Sequence, residues 1–347
     1  MKIVYKPENL KDWIVKKANL MPVPFFIFTS AILAKSEMLA FKFDVFDAAK
    51  DSPQTIEQIG QKTKLHPRGL RSLMNILTAR GYFEYKYGKF GLTKISKKWF
   101  LKENPDNMCS FMRYANEVQW NELSYLEEFL RTGKGLQVHD TYTEEQWNLY
   151  PLQQEDLAKM VAKEAAKMIP MPSNPAEMLD IGGSHGLFSV ELCKKYPTLK
   201  STILELPQAV EKARPILAKF NMGDRISYRA GNALTDDFGE NRYDLIFMAG
   251  VAHHFTSEQN SAVSGKARKA LKPSACFVIQ DLLRPETSSR MKNVVGVVWD
   301  MYFNLTSTAG LWSLSELIDF QQKGGLVHYK VNKFKIPYFV QVCAKKE

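Results

Sequence analysis

The segment Met178-Leu179-Asp180-Ile181-Gly182-Gly183-Ser184-His185-Gly186-Leu187-Phe188 runs from apolar strand formers into a glycine turn and out into a helix-forming stretch. A strand that empties into such a turn at a helix start is where nucleotides lie on an α/β sheet. Backbone amides there point at the ligand, and glycine lets the chain approach it without a Cβ collision. Two features argue against a dinucleotide. The spacing is G-G-x-x-G rather than G-x-G-x-x-G, and Asp180 sets a carboxylate at the strand end. Negative charge there opposes a pyrophosphate and suits a ligand with an ammonium and a sulfonium, as S-adenosylmethionine has.

Downstream, short apolar runs alternate with amphipathic ones, the pattern of an α/β domain with a mostly parallel sheet. Strands are expected at Met178–Ile181, Ser201–Glu205, Ile226–Ala230, Leu245–Met248 and Cys276–Leu282. Tyr329–Phe334 and Tyr338–Ala344 are joined by only Lys335-Ile336-Pro337, which makes that last pair antiparallel. The second strand ends Ile203-Leu204-Glu205-Leu206-Pro207, placing Glu205 19 residues after Gly186. An acid there accepts hydrogen bonds from ribose hydroxyls. After the third strand, Gly231-Asn232-Ala233 offers an amide for the adenine edge. The expected cofactor contacts are Asp180, Gly182, Gly183, Gly186, Glu205, Leu206, Asn232 and Ala233.

Upstream, residues 25–50 read as one amphipathic helix ended by Asp51-Ser52-Pro53. A short helix follows, with Ser52 or Thr55 as its N-cap. Pro67 suits the first turn of the next helix, Arg68 to Arg80, which sets Leu70, Leu73, Met74 and Leu77 on one face and stops at Gly81. Tyr82–Tyr85 and Lys89–Leu92 alternate around Tyr87-Gly88, a β-hairpin pattern. Helix, helix–turn–helix and hairpin in that order spell a winged helix. Residues 101–175 are mostly helical, with a strong helix at Asp156–Met168, and the proline-rich 170–175 run closes them. Three segments are therefore expected: 1–100 winged-helix-like, 101–175 helical, 176–347 cofactor-binding.

Residues 1–110 hold 19 Lys and Arg against 10 Asp and Glu, whereas the rest of the chain holds 28 against 27. The asymmetry admits an acidic or nucleic-acid partner, or simply a solvated basic face. The four cysteines lie far apart without metal-ligand spacing, which fits a reducing compartment and neither a disulfide framework nor a structural zinc. The charged N-terminus lacks the apolar core of a signal peptide, and the apolar run from Phe25 stops at Lys35, short of a membrane span. A cytoplasmic protein with no membrane partner is expected.

Taken together, FDVFDAA, PRGLRSLMNILTARGYFEYKYGKFGLT, LDIGGSHGLFSVELCKKYPTLKSTILELP and YDLIFMAGVAHHFTSEQ resemble, in order, the small-molecule O-methyltransferases typified by caffeate and hydroxyindole enzymes. The resemblance spans nearly the whole chain. It implies a Rossmann-like class I methyltransferase domain with a seven-stranded mixed sheet, preceded by a mainly helical winged-helix-like domain that dimerises rather than reads DNA. It implies S-adenosylmethionine as cofactor, a small, aromatic methyl acceptor, and a homodimer in which the N-terminal domain closes the partner's pocket. By position it assigns His253 as general base, Asp281 as the acid that orients it, and Met160, Trp299 and Phe303 as substrate walls. The chain departs from the family pattern in carrying Ser184 for the third loop glycine, Asn232 for an adenine-side acid, His254 for the acid after the base, and no second acid near Leu311.

Methyl transfer is an in-line displacement, so the protein must align the acceptor and remove a phenolic proton. A neutral imidazole can take that proton at cellular pH. His253 follows the fourth strand at its carboxyl end and Asp281 ends the fifth, where open sheets bind ligands. From position alone, His253 and His254 are also readable as loop residues, one of them capping the helix near Ser257, and either imidazole could be the base. No His, Asp and Glu set has metal-ligand spacing, so metal-independent chemistry is expected. Two other classes stay open: a carbon methylator or non-methylating enzyme on the same scaffold, and a nucleic-acid-binding regulator presenting Arg68, Arg71, Asn75 and Arg80 to a groove.

Overall fold

The computed structural model describes residues 9–18, 20, 23–287, 294–336 and 339–347. The chain divides into two compact units between Asn121 and Glu122, and the helices expected over 101–175 fall on both sides of that division. No helix among the described residues is long and apolar enough to cross a membrane.

The N-terminal unit is mainly helical. The single helix expected over 25–50 is corrected: it runs Val23–Lys42 and stops in a left-handed turn at Asp44, φ 54°. Asp44 N–H reaches the Phe41 carbonyl at 3.2 Å and Val45 N–H reaches that of Ala40 at 3.0 Å, which satisfies carbonyls the helix end leaves open. The apolar periodicity continues past the break because Val45 and Phe46 are buried, so the sequence reads as unbroken helix. Thr55 then forms a capping box with Gln58 at the start of the helix Ile56–Thr63. The helix Pro67–Ala79 begins on proline and buries Leu70, Met74 and Leu77. Strands β1 (Phe83–Lys86) and β2 (Lys89–Leu92) pair antiparallel through Tyr87 and Gly88, both at positive φ. Phe46 stacks on Phe83 at 5.6 Å between ring centroids, tying the helices to the hairpin.

In the second unit the helix expected over Asp156–Met168 is two helices. One runs Glu144–Lys159 from a capping box at Thr143 and carries Pro151, and the other runs Ala162–Met168. Met160 and Val161 between them bond back only three residues, to Leu157 and Ala158, which ends the α-helical ladder.

Beyond lies a seven-stranded mixed sheet. Its strands are β3 (Glu177–Ile181), β4 (Lys200–Glu205), β5 (Ile226–Ala230), β6 (Tyr243–Ala249), β7 (Leu271–Leu282), β8 (Val327–Lys333) and β9 (Phe339–Lys345). The order is β5-β4-β3-β6-β7-β9-β8, with β9 antiparallel to both its neighbours and the other pairings parallel. Both faces are covered. Met178, Leu245, Phe247 and Val278 enter one core, while Leu179, Ile246, Met248 and Phe277 enter the other. Strand order reverses between β3 and β6, so the carboxyl ends of those strands open the crevice in which such sheets bind ligands.

Candidate active site

Three of the expected cofactor residues are shaped by steric necessity. Gly182 has φ 67°, and a Cβ on it would stand 2.5 Å from Val251 Cγ2. A Cβ on Gly183 would stand 2.6 Å from the Asp180 carboxyl. Gly186, φ 75°, caps the helix Leu187–Lys195, and a Cβ on it would stand 3.0 Å from both Ile203 Cδ1 and Leu217 Cδ1. The turn is held by Gly182 N–H on the Leu204 carbonyl at 2.8 Å and by the Tyr228 hydroxyl on the Ser184 carbonyl at 2.7 Å.

Asp180 is 1% exposed. Its Oδ2 accepts from Ser189 Oγ at 2.6 Å, while Oδ1 is buried without a hydrogen-bond partner. Burial, opposed by the Ser189 bond, lifts its carboxyl to about 6. Glu205 ends β4 and accepts from Ser184 N–H at 3.0 Å and Leu206 N–H at 2.7 Å. Burial raises it to about 7 against those two bonds, and the Asp180 charge pushes the same way. Leu206 also caps the helix Pro207–Ala218. Asn232 folds its side-chain oxygen onto Leu234 N–H at 2.9 Å, which leaves Nδ2 for a ligand. Lys266 Nζ bonds the Ala233 carbonyl and pins the same turn. His185 is structural: its Nδ1 accepts from Leu187 N–H at 3.0 Å, and burial followed by the Lys159 charge lowers it to about 3.

These residues fit a cationic adenosyl ligand. Two buried carboxyls held above their ordinary values are relieved by positive charge, and Asp180 Oδ1 supplies an acceptor that the protein leaves unpaired. Each Glu205 oxygen, with two lone pairs, can accept a hydroxyl in addition to its backbone bond. A phosphate would meet like charge.

Across the crevice, His253 (4% exposed) and Asp281 (5%) are joined by Nδ1 to Oδ1 at 3.0 Å and to Oδ2 at 3.1 Å. Leu282 N–H also donates to Asp281 Oδ1, at 2.8 Å. Phe303 lies against His253 at 4.0 Å between centroids, and Trp299 stacks on Phe303 at 5.6 Å. Met160 ends the helix Glu144–Lys159 and is 41% exposed. His254 is placed differently from His253. Its Nδ1 meets Ser307 Oγ at 2.8 Å, and burial, then His253 and His139, hold it well below an ordinary histidine.

The family model of the O-methyltransferase domain matches residues 115–312. The chain belongs to the O-methyltransferase family. It is an enzyme, and S-adenosylmethionine is its cofactor. Among curated relatives of this O-methyltransferase is the 3-hydroxy-5-methyl-1-naphthoate 3-O-methyltransferase of Streptomyces sahachiroi, 22% identical over 297 residues, with 83% of each protein covered. A human protein described as a probable bifunctional dTTP/UTP pyrophosphatase/methyltransferase is 22% identical over 269 residues; the match covers 74% of this chain and 43% of that longer one, less than half its length. In fold, the chain is similar to human N-acetylserotonin methyltransferase in complex with SAM, with a TM-score of 0.83 at 16% identity over 99% of each chain.

Several residues of this O-methyltransferase site carry no signal in the sequence. Ser189, which holds Asp180, also meets Ser201 Oγ at 2.7 Å. His139 packs edge-on against His254 at 4.6 Å and is lowered to about 4 by burial and then His253. Burial, and after it the Glu205 charge, push the Tyr150 hydroxyl upward. Among the described residues no group of three His, Cys, Asp or Glu is arranged to hold a metal ion.

Proposed function

We propose that the enzyme methylates a hydroxyl of a small aromatic metabolite, with His253 as general base. The observation that carries this reading is the buried His253–Asp281 pair at the carboxyl ends of β6 and β7, beside the ring of Phe303. A carboxylate at Asp281 accepts the Nδ1 proton, which fixes the tautomer and leaves the Nε2 lone pair to take a proton. Among the described residues no carboxylate pairs with His254, and it is harder to protonate, so it does not compete as base. When bound, S-adenosylmethionine supplies an electrophilic methyl on a sulfonium. Phe303 and Trp299 stack a flat acceptor, Met160 forms a third wall, and His253 holds the acceptor oxygen as its proton leaves. Asp180, Gly182, Gly183, Gly186, Glu205, Leu206, Asn232 and Ala233 orient the cofactor.

The test is His253→Ala, assayed by single turnover with labelled cofactor against a panel of phenols. Base catalysis predicts a loss of about 10²–10⁴-fold with unchanged cofactor affinity. A loss under tenfold overturns the base assignment and favours an approximation-only or carbon-directed reaction.

The N-terminal unit, with its helix–turn–helix and hairpin, is proposed to be a winged helix that dimerises rather than binds nucleic acid, in a cytoplasmic protein. The helix Val23–Lys42 leaves Ile27 and Phe28 70% exposed and Ile32 46% exposed, an apolar stripe that suits a second copy of the chain. Of the residues a groove reader would present, Arg80 is instead bound to Glu37 at 2.6 Å. Light scattering of the double variant Ile27→Lys, Phe28→Glu should report a monomer where the wild type is a dimer.

A further inference from the structure

Glu122 is a buried acid with no part in the chemistry above. It is 6% exposed, and its oxygens take two hydroxyls, Tyr302 Oη at 2.6 Å and Tyr142 Oη at 3.4 Å. No Lys or Arg among the described residues pairs with it, and burial keeps its carboxyl above the ordinary range despite both tyrosines. A carboxylate withdrawn from water without a cation is destabilised, and an arriving cation relieves it.

Each of its two tyrosines begins a run of ring contacts that ends at His253. Tyr302 packs edge-on against Trp299 and Phe303, and Phe303 lies on His253. Tyr142 packs edge-on against His139, which meets His254, which meets His253 at 4.2 Å. From Glu122 each run reaches His253 through successive ring contacts, with the carboxylate at one end and the proposed base at the other.

We propose that Glu122 binds a protonated amine of the methyl acceptor, so that the acceptor is a hydroxyarene bearing a cationic nitrogen remote from the hydroxyl that is methylated. An ammonium has three donors, and the Glu122 carboxylate with the two tyrosine oxygens offers acceptors to match them. The neighbouring tyrosine and tryptophan faces add cation–π attraction. A carboxylated acceptor meets like charge at the same end. This assignment rests on the reading of an aromatic hydroxyl acceptor.

The experiment is calorimetric titration of matched phenols into protein saturated with S-adenosylhomocysteine: tyramine, 4-ethylphenol and 3-(4-hydroxyphenyl)propionate. The wild type is expected to bind tyramine at least ~10-fold more tightly than 4-ethylphenol, and the propionate weakest. Glu122→Gln keeps the volume, with its amide oxygen accepting from one tyrosine hydroxyl and its NH2 donating to the oxygen of the other. It should bring tyramine down to 4-ethylphenol while leaving 4-ethylphenol and S-adenosylhomocysteine unchanged. Equal losses for tyramine and 4-ethylphenol make Glu122 a mere support for the tyrosines and overturn the proposal. So does a wild type that fails to prefer tyramine, a ranking that needs no variant to fold. Either result leaves His253 as base untouched, since the His253→Ala single-turnover rate tests that separately.

Discussion

Replacing Asp180 by Asn should stabilise the protein without cofactor and weaken its hold on the cofactor. Asp180 is 1% exposed and its carboxyl lies at about 6, against an ordinary value of 3.8. The folded state thus holds the proton more tightly than the unfolded chain, so ionisation opposes folding. The penalty is fully present above about 6, fades as pH falls, and is gone below the unfolded value near 4. Two pKa units correspond to about 3 kcal/mol. Asn has no charge to desolvate and keeps an acceptor for Ser189, at a cost of about 1–2 kcal/mol for the weaker hydrogen bond. The net gain is about 1–2 kcal/mol at pH 7.5, or roughly 2–8 °C in Tm for a domain of this size. Thermal unfolding of cofactor-free wild type and variant from pH 4 to 8 measures it. The difference between them should be small or negative near pH 4 and reach its plateau above pH 6, whatever Glu205 contributes to both. Titration with S-adenosylmethionine should show wild-type affinity falling as pH drops through 6, because binding must then expel the proton, and a flatter dependence in the variant. A variant less stable than wild type at pH 7.5, or a stability difference independent of pH, refutes the reasoning.

Asp281→Asn should cost about 10²-fold or more in the rate of methyl transfer, because an amide no longer fixes the His253 tautomer, while S-adenosylhomocysteine affinity holds; stopped-assay kinetics with a cofactor titration decide it. Gly183→Ala drives a Cβ to 2.6 Å from the Asp180 carboxyl and should abolish cofactor binding by calorimetry while the far-UV spectrum stays native. Leu77→Ala opens a cavity in the N-terminal core, where Leu77 is fully buried, and should cost about 2–5 kcal/mol in a urea titration of that unit.

The sheet was legible because its strands carry apolar runs separated by helix-forming segments. Both faces are buried, so the apolar runs stand out: Met178, Leu179 and Ile181 on β3 are all 1% exposed or less. The glycine turn was legible because Gly182 and Gly183 are demanded by neighbours, Val251 and Asp180, that sit close in the fold. Helix ends were less so. Phe46 keeps the apolar period running past the turn at Asp44, and nothing in the chain between Lys159 and Ala162 announces a break. Pairings between distant segments were least visible. Glu122 finds Tyr302 across 180 residues and His254 finds Ser307 across 53, and no local pattern encodes either bond.

The buried acids differ in how far the protein itself compensates them, and that gradation supports the roles proposed for them. Asp281 has an imidazole and the Leu282 amide, which fits the orienting role proposed for it. Glu205 has two backbone amides and still sits near neutrality in its pKa, poised to accept hydroxyls. Asp180 has one hydroxyl and one oxygen with nothing, and it lies under the glycine turn where a cation would be received. S-adenosylmethionine carries one positive charge more than S-adenosylhomocysteine, so an under-compensated carboxylate beside it favours the reactant over the product. On the proposed placement of the cofactor against Asp180, the same imbalance loosens the product once the methyl group has left. A fully satisfied Asp180 would give a sturdier protein and a slower release.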